Sequence, residues 1–162
     1  MVDFSRLSAN WIEWSSISQL TNIAVSSGCG DCQIIFASDD YSVHLRNDGT
    51  WWIIDTVDDR GQRHNDTARL STFDLAEKYL IWTWASSARG AGGAKRLGPR
   101  SYSLGFSPEV EALPIKEGVA EVRSGAGNAI LMEPNATIFS HLMSKSVDEI
   151  EQMVRQGPYL DN

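Results

Sequence analysis

The feature that most constrains this chain is a pair of tight-turn signals bracketing an apolar strand. Asn47-Asp48-Gly49 precedes TWWIIDTV at residues 50–57, and Asp58-Asp59-Arg60-Gly61 follows it. Asp-Gly tolerates the positive φ angles of a hairpin turn, so chain direction must reverse on either side of residues 50–57. The preceding β-prone runs, residues 33–37 (QIIFA) and 41–46 (YSVHLR), extend this into an antiparallel β-meander. Residues 62–70 (QRHNDTARL) are polar and read as its exposed edge strand.

Helices flank the meander. Phe4, Leu7, Trp11 and Trp14 share one face of a helix predicted over residues 3–20, with Asp3 or Ser5 as its cap. Ser71 and Asp74 have capping-box spacing and open a second helix that should end near Ala88. Leu75, Ala76, Tyr79, Leu80 and Trp84 form its apolar face, and Asp74 with Lys78 is a favourable i,i+4 pair. Further on, residues 101–106, 115–123 and 129–132 read as strands and 124–128 as a loop. Residues 135–144 read as a short helix. Ser146 and Glu149 open a last helix to about Gln156, stopped by Gly157-Pro158. The expected fold is therefore α+β, one domain over residues 1–162, with a meander packed by N-terminal, central and C-terminal helices.

A chain of 162 residues, 42% hydrophobic and 22% charged, can close a core without metal or disulfide staples. Six Trp are enough to fill that core, although Trp also favours interfaces. The net charge of −7 opposes nucleic-acid binding, which needs a positive field, and suits a basic protein partner. No run of about 18 apolar residues occurs, and the N-terminal residues lack signal-peptide character, so the expected location is the cytoplasm. In that compartment Cys29 and Cys32 are expected to be reduced thiols in a turn; metal or redox chemistry is the alternative.

Catalytic motifs do not emerge. No G-x-S-x-G occurs, and Gly90–Lys95 matches no phosphate-binding pattern. The carboxylate pairs Asp39-Asp40 and Asp58-Asp59 lie at turns, where Asp serves the backbone. His44, His64 and His141 lack partners at ligand spacing. No catalytic residue, metal or cofactor is expected. The unusual segment is residues 89–100, with four glycines, four positive charges and no acid. Its composition describes a flexible surface finger suited to entering a partner's pocket, or an idle loop. The candidate contact residues are Arg89, Gly90, Gly92, Gly93, Lys95 and Arg96.

The stretch from Asn47 to Gly93 resembles the immunity proteins of bacterial polymorphic toxin systems, the actinobacterial TNT-antitoxin group in particular. The likeness is carried by the turns at Asp48-Gly49 and Asp59-Arg60-Gly61, by Phe73-Asp74-Leu75-Ala76-Glu77-Lys78-Tyr79-Leu80, and by Arg89-Gly90. Residues 135–157 fit more loosely. The resemblance implies an α+β antitoxin that pairs with a cognate protein toxin, an NAD(P)+ glycohydrolase, and blocks its active-site cleft. Alternatives are a small enzyme with dispersed catalytic residues, or a thiol sensor using Cys29 and Cys32.

Overall fold

The computed structural model describes residues 2–27, 29–91 and 98–156. Its elements run α1 (Ser5–Ile17), β1 (Ala24–Ser27), β2 (Ile34–Ala37), β3 (Ser42–Asn47), β4 (Trp52–Val57), β5 (Arg63–Leu70), α2 (Phe73–Ala91), α3 (Pro99–Ser103), β6 (Glu111–Lys116), β7 (Val119–Ser124), β8 (Gly127–Met132), α4 (Asn135–Ser140) and α5 (Val147–Arg155). The strands form one antiparallel sheet in the order β1-β2-β3-β4-β5-β8-β7-β6.

Strand alternation explains which face is covered. Ile34 and Phe36, Val43 and Leu45, Trp52 and Ile54, Ala68 and Leu70, Ala129 and Leu131, and Ala120 and Val122 are buried on one side. The register places them in rows across the sheet: Ile34 opposite Leu45, Leu45 opposite Ile54, Ile54 opposite Ala68, Ala68 opposite Leu131, and Leu131 opposite Ala120. Because strand side chains alternate, this one register commits every other residue to the opposite face. Helices α1, α2, α4 and α5 cover the apolar rows, and their side chains join the same core. Trp11, Phe36, Tyr41 and Trp84 pack edge-on or tilted at ring separations of 5.0–6.2 Å. Trp11, Trp14, Trp52, Trp82 and Trp84 are buried and Trp51 is half-buried, so tryptophan here is chiefly core material.

Several expectations are met closely. Leu7, Trp11 and Trp14 face the core from α1, Asp74 pairs with Lys78 at 2.8 Å, and Ser146 with Glu149 forms a full capping box. Others are corrected. Residues 62–70 are not an edge strand: Arg69 and Leu70 pair with β8, and only the polar first half of β5 is left without a neighbour on that side. Strand β1 is an unanticipated edge, short and largely exposed. The run 101–106 does not form a strand; Pro99, with its φ pre-set for a first helical turn, starts α3 instead. The run 115–123 is split into β6 and β7 by a turn at Glu117-Gly118, where Gly118 takes a φ of 75°. Helix α2 continues past Ala88 to Ala91, since one internal glycine costs a helix only about 1 kcal/mol. Gly157-Pro158 lies outside the described residues.

The cap of α2 also differs. Thr72, not Ser71, accepts the Leu75 N–H, at 3.1 Å. Ser71 ties the helix entrance to β8: its Oγ accepts from Asn128 N at 2.8 Å, and its own N–H donates to Asn128 O at 2.8 Å. Gly127 lies under this junction with φ of 131°, and a Cβ there would sit 2.5 Å from Ser71 Oγ and 2.9 Å from Leu75 Cδ1. Gly127→Ala is therefore expected to destabilise the fold by about 2 kcal/mol or more, through backbone strain and the lost Ser71 tie. Urea denaturation checks this, and an unchanged midpoint would refute it.

Where α1, α2 and α5 meet, Glu77 is buried and its carboxyl is pushed up to about 7. Burial is the main cause. Arg6 opposes the rise, while Asp74, Glu151 and Asp3 add to it. A carboxyl raised on folding supports the fold fully below its ordinary value, and that support is lost as pH rises through about 7. Glu77→Gln should consequently raise stability near pH 8 by on the order of 2 kcal/mol and leave it almost unchanged near pH 4. Denaturation midpoints at the two pH values test this; a constant difference between variant and parent would show that Glu77 does not titrate in this range.

Candidate functional site

Two regions concentrate groups beyond those needed to close the core. The first is the end of the molecule where α2 stops. Arg89 and Gly90 belong to the last helical turns of α2, and Arg89 is buried, so its side chain forms part of the base and not of an exposed loop. Gly92, Gly93, Lys95 and Arg96 lie outside the described residues. Gly98 is buried so tightly that a Cβ would fall 2.6 Å from Ile138 Cδ1. Two hollows open beside these anchors. One of about 330 Å³ is lined by Trp82, Thr83, Ser86, Ser87, Gly90, Gly98, Asn135 and Ile138. The other, of about 510 Å³, shares Ser86, Gly98, Asn135 and Ile138 and adds Pro99, Tyr102, Glu133 and Pro134.

Local bonds make this end firm. Asn135 Nδ2 donates to Tyr79 Oη at 3.0 Å, Ser107 N donates to Ser140 Oγ at 2.9 Å, and a His141 ring nitrogen lies 2.7 Å from Gly105 O. Glu133 accepts from Thr137 N at 2.7 Å at the start of α4. Tyr102, at the second hollow, is exposed, and so are Leu104 and Phe106 just after it in the chain. Exposed apolar side chains grouped beside a concave surface are a usual mark of an interaction site.

The second region is the sheet face opposite the helices. At its centre Asp55 is fully buried, yet ionised. Burial alone would raise its pKa; the bonds it accepts outweigh that and hold it below the usual carboxylate range. They come from Arg46 Nε at 2.7 Å, Asp66 N at 2.8 Å and an Arg63 guanidinium nitrogen at 3.0 Å. Asp66, at φ of 56° within the β5 irregularity opposite Asp55, also pairs with Arg46 at 2.8 Å and Arg69 at 2.9 Å. Arg46 and Arg69 stand on either side of Ile53 in the register, and Ile53 is buried between them although, among the described residues, no helix covers this face. Long arginine stems cover apolar surface while their charged ends stay at the solvent boundary. Sequence reasoning missed this lattice. The signal was a single Asp inside the apolar run WWIID, an arrangement that burial tolerates only with partners.

The remaining candidates have structural roles. Asp58 accepts from Arg60 N at 3.0 Å and Gln62 N at 2.9 Å and serves its own turn, whereas Asp39 accepts from Asn22 Nδ2 at 2.5 Å and Asp40 from Thr21 N at 3.3 Å, so that pair ties its turn to the connection between α1 and β1 instead of bonding its own backbone. His44, with its pKa lowered by burial and then by Arg63, has one ring nitrogen 3.2 Å from Ser42 Oγ. His64 lies 3.4 Å from Asp58. Among the described residues no group of three or more His, Cys, Asp or Glu is placed to hold a metal ion, and no helix is long and apolar enough to cross a membrane. Cys29 and Cys32 are not free thiols: they are joined in a disulfide, their Cα atoms 5.3 Å apart. A two-residue spacer in a turn brings them within bonding range, which overturns the expectation of two separate thiols.

Comparison with known proteins agrees with the immunity-protein resemblance of the central run. Residues 17–156 match the family model Imm61, Immunity protein 61. Among solved structures, Rv3902c from M. tuberculosis has the same fold, with a TM-score of 0.68 at 16% sequence identity over 90% of this chain and 86% of that chain. No curated protein sequence matches. The family match spans the whole sheet and every helix after α1, and the chain therefore belongs to the Imm61 family of immunity proteins.

Proposed function

We propose that this immunity protein binds a cognate toxin as a heterodimer in the cytoplasm of the cell that makes both, and occludes the toxin's active site without catalysing a reaction itself. The toxin is taken to be an NAD(P)+ glycohydrolase, as the resemblance to the TNT-antitoxin group implies. Membership of the Imm61 family carries the immunity role. The mode of blocking is supported by the end of the molecule at which α2 stops. There two packed anchors, the last turn of α2 and Gly98, bracket a segment whose sequence holds Gly92, Gly93, Lys95 and Arg96. Exposed Tyr102, Leu104 and Phe106 lie next to it in the sequence and supply apolar surface for the rim of a cleft.

Because failed neutralisation is lethal, the complex is expected to have a Kd of about nanomolar or below. Co-purification with the product of the neighbouring reading frame, followed by calorimetry, tests the pairing. A stable one-to-one complex supports it, and absence of binding at micromolar concentration would end it.

A further inference from the structure

We propose that Cys29 and Cys32 form a reversible dithiol–disulfide site whose oxidised state holds Asp31 against Arg63 at the margin of the open sheet face. The site lies in the connection between β1 and β2, reads Cys-Gly-Asp-Cys, and is closed by the Cys29–Cys32 bond. Both cysteines are half-buried and so remain within reach of a reductant. As a structural staple the bond is poorly placed. A cross-link over two intervening residues removes little freedom from the unfolded chain, and the core is closed elsewhere.

What the bond does fix is the residue between the cysteines. Asp31 reaches an Arg63 guanidinium nitrogen at 3.2 Å with its side chain 65% exposed, and an ion pair so open to water has little hold of its own. The closed ring supplies the restraint. Arg63 in turn donates to Asp55 at 3.0 Å, and its Nε donates to Asn65 Oδ1 at 2.8 Å. The state of the two sulfurs is thereby linked to the lattice around Asp55.

The reaction is thiol–disulfide exchange with a dithiol. A reductant thiolate attacks one sulfur of the bond and forms a mixed disulfide, and the other cysteine leaves as a thiolate that takes a proton. The reductant's second thiol displaces the first cysteine, which also ends protonated, and the reductant departs as a disulfide carrying the two-electron oxidation. In a reducing compartment the dithiol form prevails, and a disulfide oxidant closes the ring by the reverse exchange, itself leaving as two thiols.

The test uses the full chain equilibrated in glutathione disulfide or in dithiothreitol, alkylated with N-ethylmaleimide without denaturant and weighed intact. No label after oxidation, two labels after reduction and reversal by glutathione disulfide are expected. The Arg63 Nε–H resonance should move on reduction, and Asp31→Asn should reproduce that movement in the oxidised protein. His44, which faces Arg63, Asp31 and Asp55, should titrate lower once Asp31 is released. The double variant Cys29→Ser with Cys32→Ser should give the reduced-form Arg63 resonance in both buffers. Two labels after oxidation, no label after reduction, an unmoved Arg63 resonance, or a redox response in the double variant would each overturn the proposal.

Discussion

Asp55→Ala is expected to cost about 3 kcal/mol of folding stability, a large fraction of the total for a domain of this size. The change removes the acceptor for Arg46, Arg63 and the Asp66 N–H together. Arg46 and Arg63 keep side-chain exposures of 26% and 33%, so part of their charge can turn to water; this places the cost at the lower end for a broken buried pair. Asp55→Asn should lose less, because its amide oxygen still accepts from the Asp66 backbone. The pH dependence has a definite sign. A carboxylate depressed on folding contributes stability above its ordinary value near 3.8, and that contribution disappears as pH falls through the lower folded value. Parent and Asp55→Ala curves from denaturant titration should accordingly lie far apart at pH 7 and converge in strong acid. A difference under about 1 kcal/mol at pH 7 would show that the lattice is only decorative.

Shortening residues 91–96 is expected to weaken toxin binding by at least about 100-fold, or roughly 3 kcal/mol, while leaving the core intact. Arg89 is buried in α2 and Gly98 is packed on Ile138, so the deletion lies between anchors that the core already holds. A milder variant, Lys95→Ala with Arg96→Ala, should retain the thermal midpoint of the parent and still lose affinity. Inhibition equal to the parent's in both variants would transfer the contact to another surface.

How much of this was legible in the sequence follows from how local each signal is. The Asp48-Gly49 turn, the Ser146–Glu149 cap and the Leu7, Trp11, Trp14 stripe are decided within a few residues, and the structure realises all three. The placement of β5 is a long-range matter: its polar Arg63–Asp66 half suggested an edge, but Ala68 and Leu70 continue the buried rows into β8, sixty residues later in the chain. Ser71 misled for a similar reason, since its hydroxyl has a distant partner in Asn128 that outranks the local cap. The end of α2 was legible only as composition. Glycines at 90, 92 and 93 suggested a break from Arg89 onwards, whereas packing carries the helix two residues beyond it. Asp55 was the most informative residue passed over, because a lone acid in an apolar strand requires a charged partner that sequence distance conceals.

The most direct test of the account is to titrate the cognate toxin's hydrolysis of NAD(P)+ with this protein. The account predicts that activity falls in proportion to added protein and vanishes at one equivalent, with an apparent Kd of about nanomolar or below. Toxin activity undiminished in the presence of excess protein would contradict it.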